Sequence, residues 1–286
     1  MLLVFRMLAR CPLWLLHAFG ALAGRLSYAL SPTYRQRFQA QVRQAGLSAA
    51  EARPAIAQAG RMIAELPWLW QRRSALGDLV RWQGAELIEA DLAARRGMVL
   101  LTPHMGCFEV TARAFAERFG QHTPVTVLFR PARKAWMRAL MDGARERPGL
   151  ATAPASLAGV RQMLRALRQG QAVGLLPDQV PPEGLGVWAP FFGRPAYTMT
   201  LAAKLAMQSG APLILIWGER LSGGRGYVIH VERGPALPPV ATPEAAATLI
   251  NQAMEGLIRQ APDQYLWGYH RYKSPRQLGA GGGEVL

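Results

Sequence analysis

The sequence predicts an α/β fold, a mixed sheet flanked by helices, with a hydrophobic helix at its N-terminus. Short apolar runs alternate with longer amphipathic stretches from about residue 98 onward, the pattern of strands and crossover helices. Polar turns close several of these runs, as where Met98-Val99-Leu100-Leu101 meets Thr102-Pro103. With 286 residues, half of them hydrophobic, the chain can bury one full core and is not a disordered composition.

The elements follow in chain order. Pro12 to Gly24 is apolar, with Arg6 and Arg10 before it and Arg25 after. This stretch falls short of the roughly 20 residues needed to cross hydrocarbon. It therefore reads as an interfacial helix lying in one leaflet, with Trp14 and the arginines at headgroup level. A tilted span across Leu2 to Leu30 is the alternative. Ser31-Pro32 marks a break, so residues 1–31 form a membrane-anchoring helix and 32–277 one domain. Residues 33–73 read as helical, interrupted at Pro54, and Ile63 to Trp70 packs on the core or lines an apolar groove. Strands are expected at Met98–Thr102, Val125–Phe129, Ala172–Leu176, Pro212–Trp217 and Tyr227–Val231. Helices are expected at Glu109–Phe119, Lys134–Arg145, Leu157–Arg168, Thr198–Ser209 and Pro243–Gln260. In the third of these, Leu157, Val160, Leu164 and Leu167 form one face and Arg161, Arg165 and Arg168 the other. The glycine-rich residues 278–286 read as a frayed tail.

The charge balance narrows the partners. Thirty-three Lys and Arg against 18 Asp and Glu give a net charge of +15, which favours an anionic partner. The arginines are scattered among tryptophans and leucines, and no nucleic-acid fingerprint occurs, so a membrane surface fits better than nucleic acid. Cys11 and Cys107 support no disulfide framework, and no clustered His and Cys supports a metal site. No P-loop or dinucleotide glycine pattern calls for a cofactor. Cys107 reads as a small buried residue in a turn.

The chemistry-bearing stretch is Thr102-Pro103-His104-Met105-Gly106-Cys107-Phe108-Glu109. Five residues on one helix differ by about 140°, so His104 and Glu109 meet only if His104 sits in the turn before a helix that Glu109 has entered. Glu109 would then hold one imidazole nitrogen and leave the other free to take a proton. Downstream stand Phe129-Arg130-Pro131, Leu176-Pro177-Asp178-Gln179, Gly186 to Gly193 with Pro190-Phe191-Phe192-Gly193, and Tyr265 to Lys273. Asp178 ends the third expected strand, on the edge of His104 if the two strands are parallel; it orders the loop, caps backbone or binds a polar group.

Together these motifs resemble the late acyltransferases of lipid A biosynthesis, within the H-x4-D/E glycerolipid-type acyltransferases, over roughly residues 5 to 275. The resemblance implies a glycerolipid-acyltransferase-like domain at the cytoplasmic face of a bacterial inner membrane. It implies transfer of a fatty acyl chain from acyl carrier protein to a hydroxyl of a glycolipid, a lipid A precursor. His104 would be the general base and Glu109 its partner. Arg130 would contact a phosphate or head group, and Arg194 would be available to an anionic head group. The oxyanion would fall to Arg130 or to the backbone N–H groups of Met105 and Gly106. No protein nucleophile is needed, since the acceptor hydroxyl attacks directly, and no G-x-S-x-G elbow occurs. The stretch after Arg130-Pro131 lacks the asparagine often found there, so a lysophospholipid or ornithine-lipid acceptor is the near alternative. A non-catalytic protein that binds anionic lipid is the alternative of a different class.

Overall fold

The structure, a computed structural model, describes residues 2–129 and 147–277. Arg130, the expected helix at Lys134–Arg145 and the tail lie outside the described residues. The helices are α1 (Leu2–Leu8), α2 (Leu13–Leu30), α3 (Pro32–Gln44), α4 (Ala49–Ala52), α5 (Ala55–Ala64), α6 (Leu66–Gln71), α7 (Glu86–Ala93), α8 (Phe108–Phe119), α9 (Leu157–Arg168), α10 (Leu201–Ser209) and α11 (Pro243–Gln260). The strands are β1 (Val80–Gln83), β2 (Met98–Leu101), β3 (Val125–Phe129), β4 (Leu150–Pro154), β5 (Ala172–Leu175), β6 (Gly186–Phe191), β7 (Arg194–Met199), β8 (Leu213–Arg220) and β9 (Tyr227–Arg233).

Seven strands form a mixed sheet in the order β1-β9-β8-β2-β5-β3-β4. Every neighbouring pair is parallel except β8 with β9. Alternate residues of the central strands serve opposite faces, as the pleat requires. Val99, Leu101, Val173 and Leu175 pack with α9, α10 and α11. Met98, Leu100 and Ala172 pack with Val110 and Phe115 of α8 and Ile88 of α7. Because β2 and β5 are parallel neighbours, the loops that leave them open at the same sheet edge, where open α/β sheets place their sites.

The expected strands are present, but four others were not anticipated. β1 and β4 are short and lie at the two edges of the sheet. β6 and β7 make a separate antiparallel ribbon in which Pro190 and Pro195 stand opposite each other. Proline argues against a central strand but is tolerated where no further strand needs its missing N–H. Phe192 and Gly193, at φ 46° and 75°, turn that ribbon with the two left-handed residues a tight hairpin prefers. β7 also takes Thr198, so α10 starts at Leu201 and not at Thr198.

At the N-terminus α2 buries Leu13, Leu16, His17, Gly20, Ala21 and Gly24. It crosses α5 backbone to backbone: a Cβ on Gly60 would lie 1.9 Å from the Gly20 carbonyl oxygen, so only glycine fits. The other face of α2 exposes Trp14, Phe19, Leu22, Leu26 and Leu30. Among the described residues no helix is long and apolar enough to cross a membrane.

Candidate active site

His104 lies in the turn between β2 and α8, and Glu109 is the second residue of α8, with Cys107 at the N-cap. The turn is held from several sides. The Leu266 N–H donates to the His104 carbonyl (3.1 Å), the Gly106 N–H to the Gln264 carbonyl (2.9 Å), and the Cys107 N–H to the Gly218 carbonyl (2.7 Å). Gly106 has φ +56°, and a Cβ there would lie 2.0 Å from the Gly218 oxygen, so the bend demands glycine. Part of the closing aromatic-basic motif thus acts as a splint: Met105 forms an isolated antiparallel bridge with Tyr265.

The carboxylate on the imidazole is Asp178. Its Oδ1 lies 2.7 Å from His104 Nδ1, and its Oδ2 accepts the His104 backbone N–H at 2.9 Å. Both oxygens therefore bond His104, which fixes the ring in position and leaves Nε2 directed elsewhere, and the Tyr265 hydroxyl also bonds this carboxylate. Burial pushes the Asp178 carboxyl up. The charge of His104, its two hydrogen bonds and the nearby Arg271 outweigh this and hold it below its ordinary value. The His104 side chain is 18% exposed against 2% for Asp178, so the imidazole reaches solvent space and the carboxylate does not. The ring also rests edge-on against Phe108, 5.0 Å between centroids.

Glu109 takes a different place from the one expected of it. Its Oε2 accepts from Trp70 Nε1 (3.2 Å), and it lines the same cavity as His104 without taking the Nδ1 hydrogen bond. The physical reason is the short loop after β5, which delivers Asp178 to the imidazole from the adjacent parallel strand. The expected oxyanion donors differ too. The Met105 N–H donates to the Pro103 carbonyl (2.8 Å) and the Gly106 N–H to Gln264, so both are already used by backbone. Arg194 sits at the turn end of the β6–β7 ribbon, stacked 4.7 Å over Tyr272, and is not in the cavity wall, which the ribbon reaches through Met199 at its other end. Arg130 lies outside the described residues. Phe191 and Phe192 are core residues. Burial, and then the charge of Glu65, push the Cys107 thiol well above its ordinary value, which suits an inert buried residue.

The cavity measures about 530 Å³ and opens along the carboxyl edge of the sheet. Its lining residues fall on both faces of the sheet, which divides it into two arms with His104 at the sheet edge between them. One runs under α8, between Phe108, Thr111 and Ala112 above and Leu100, Val127 and Val125 below, toward Leu150 and the buried Arg113. The other passes Leu157, Val160, Met199, Leu201 and Lys204 on the opposite face, with Leu157 and Lys204 exposed at its edge. Walls of this kind suit hydrocarbon, with a few polar groups at the junction.

A second buried polar cluster supports the turn from behind, and sequence reasoning missed it. Glu65, between α5 and α6, accepts from Arg220 Nε (2.9 Å), from the Arg220 terminal nitrogen, from the Tyr227 hydroxyl (3.0 Å), and lies 3.0 Å from His17 Nε2. The same guanidinium donates to the Gly106 carbonyl at 2.7 Å. Burial raises the Glu65 carboxyl, but the Arg220 charge and hydrogen bonds, with His17, bring it down to about 2. The only signal in the sequence was an acidic residue inside an apolar helix. His230 has a separate partner in Glu219 (2.8 Å).

Among the described residues no cluster of His, Cys, Asp and Glu could hold a metal ion. Comparison with known proteins identifies the family. Residues 49–274 match the family described as bacterial lipid A biosynthesis acyltransferase. The chain is similar to the lipid A biosynthesis lauroyltransferase of Escherichia coli K12, 29% identical over 219 residues, 75% of this chain and 68% of that protein. It is similar to the lipid A biosynthesis palmitoleoyltransferase of the same organism, 26% identical over 73% of this chain and 66% of that protein. A phosphatidylinositol mannoside acyltransferase of Mycobacterium tuberculosis CDC 1551 is 31% identical over 58% of this chain and 51% of its own length. With the match spanning most of its residues, this chain belongs to the bacterial lipid A biosynthesis acyltransferase family.

Proposed function

We propose that the protein moves a fatty acyl chain from an acyl carrier protein thioester to a hydroxyl of a lipid A precursor at a membrane surface, with His104 as general base. The observation that carries this is an imidazole fixed at Nδ1 by Asp178 and exposed at the junction of two apolar arms. One arm takes the donor chain and the other the lipid acceptor. The acceptor hydroxyl attacks the thioester carbonyl while Nε2 of His104 takes its proton. The tetrahedral oxyanion collapses, the carbon–sulfur bond breaks, and the imidazolium returns its proton to the departing thiolate. Asp178 holds the tautomer and stabilises the imidazolium, the part a carboxylate plays in a hydrolase triad.

The exposed apolar face of α2, extended by Met7 and Ile63 and flanked by Arg10 and Arg25, lies in one leaflet of the cytoplasmic face of a bacterial inner membrane. The anchor of residues 1–31 is on this reading a docked helix of the domain spanning 32–277. The net charge of +15 suits both an acidic carrier protein and a phosphorylated acceptor.

The test incubates detergent-purified protein with lauroyl- or myristoyl-carrier protein and a Kdo-bearing tetraacylated lipid A precursor, then weighs the lipid. A gain of one acyl chain, lost in His104→Ala, supports the reading. Acylation only of a lysophospholipid, an ornithine lipid or a mannosylated phosphatidylinositol keeps the chemistry and replaces the acceptor. No transfer with lipid binding intact makes the protein a binder.

A further inference from the structure

We infer that Gly174 sets the length of the acyl chain the protein transfers, by leaving the floor of the arm under α8 open. This rests on the acyl-transfer reading above. Three registered neighbours cross the sheet at this level: Leu100 of β2, Gly174 of β5 and Val127 of β3. All three line the cavity and face α8. Leu100 and Val127 raise ridges, and Gly174 between them leaves a trough. The trough lies two residues, about 7 Å, below Thr102, the first residue after β2, reckoned at ~3.3 Å per strand residue.

Glycine is not demanded there by the backbone. Gly174 is not among the residues with positive φ, and a Cβ on it would meet only the Val127 side chain, at 3.1 Å from Cγ1. Gly218, on β8 of the same sheet, is different: a Cβ there would lie 2.8 Å from the Cys107 carbonyl oxygen and 2.7 Å from Val110. A glycine in the interior of a central strand weakens the sheet relative to alanine, and it often marks the close approach of a ligand. With neither φ nor backbone collision to explain it, the open space above it does.

The arm belongs to the donor chain. It starts at His104, where the thioester carbon must lie, and continues past Gly174 to Val125 and Leu150, between α8 and the sheet. The opposite arm, edged by the exposed Leu157 and Lys204, is open enough for a lipid that enters from a membrane. A side chain at 174 would rise into the middle of the donor arm. Chains that end above it would still fit; longer ones would not.

Gly174→Val and the milder Gly174→Ala are compared with the parent protein on hexanoyl-, decanoyl-, lauroyl-, myristoyl- and palmitoyl-carrier protein, with one lipid A precursor as acceptor and products weighed by mass spectrometry. The preferred donor should shift to a shorter chain, with a loss of about tenfold or more for each methylene that no longer fits and little loss on the shortest donor. Alanine should shift the preference less than valine, and it also serves if valine prevents folding. An unchanged chain-length profile in a folded, active variant overturns the inference, as does an equal loss on all donors. Binding of the matching free fatty acids, read by displacement of a fluorescent fatty acid, is measured in parallel. If the parent transfers nothing, the acyl-transfer reading fails by itself. Loss of long-chain binding in the variants would then still support Gly174 as the stop, and unchanged binding would reject it.

Discussion

Two histidine–carboxylate pairs flank the same turn, and their surroundings differ. His104 pairs with Asp178 at 2.7 Å and His17 with Glu65 at 3.0 Å, both carboxylates being almost wholly buried. Asp178 bonds His104, whose ring meets the cavity, through both oxygens, with the Tyr265 hydroxyl beside them. Glu65 serves His17, Arg220 and Tyr227, and His17 is itself buried in the α2–α5 contact. Pair geometry alone therefore does not identify a catalytic histidine. What separates the two is a nitrogen that faces space a substrate can fill.

The comparison breaks first at its ends. Replacing His104 by Ala should lower acyl transfer by about 10³-fold, within the range general-base groups contribute, and leave thermal unfolding nearly unchanged. His17→Ala should do the reverse. Comparable losses of turnover in both would show that the cavity-facing nitrogen is not what matters. Removing one partner of the Glu65–Arg220 pair, as in Glu65→Gln or Arg220→Met, should cost about 3–5 kcal/mol of stability, because a fully buried charge is left without its counterion. The double variant Glu65→Met with Arg220→Met should recover part of that loss in denaturant titrations. Since Arg220 also holds the Gly106 carbonyl, the refolded single variants should turn over more slowly as well. Asp178→Asn is milder, about 10²-fold in turnover, the lower end of what acid–base groups contribute, since an amide no longer favours the imidazolium or selects the productive tautomer. Equal activity of Asp178→Asn and the parent, with Glu109→Gln inactive, would return the partner's role to Glu109.

Much of this was readable in the sequence, for identifiable reasons. The strand–turn–helix around His104 announced itself by an apolar run, a Pro and a Gly. The amphipathic α9 and the capped α11 were legible end to end, since the 3.6-residue period persists through them. Asp178 could be placed at the right edge of the sheet, but its bond to His104 depends on β2 and β5 being parallel neighbours, and that pairing is not local. Glu109, near His104 in sequence, drew the role that the fold hands to a residue 74 positions away from the histidine. The β6–β7 ribbon was missed because its prolines argue against strands in general, and only its two-stranded isolation permits them. Glu65 and Arg220 were missed because burial, not spacing, makes them partners.

The smallest and most diagnostic effect is in acid. Glu65 is held at about 2, below the 4.5 it has when unfolded. The unfolded chain thus binds its proton first as pH falls, so folded stability declines through this window. The contribution of Glu65 is fully present above about 4.5 and is lost as pH drops toward 2. Asp178 is shifted in the same direction from 3.8, so it adds to the decline at the lower end. Other carboxylates titrate there too, so the informative quantity is a difference between variants. Unfolding free energy measured from pH 6 to pH 3 should fall less steeply in Glu65→Gln than in the parent, because the variant has already lost the charge that acid would remove. Asp178→Asn should flatten the curve less. Parallel curves for all three proteins would mean that Glu65 keeps an ordinary carboxylate affinity in the folded state. The contacts from Arg220 and His17 would then only offset the cost of burying the carboxylate and add no net stability near neutral pH.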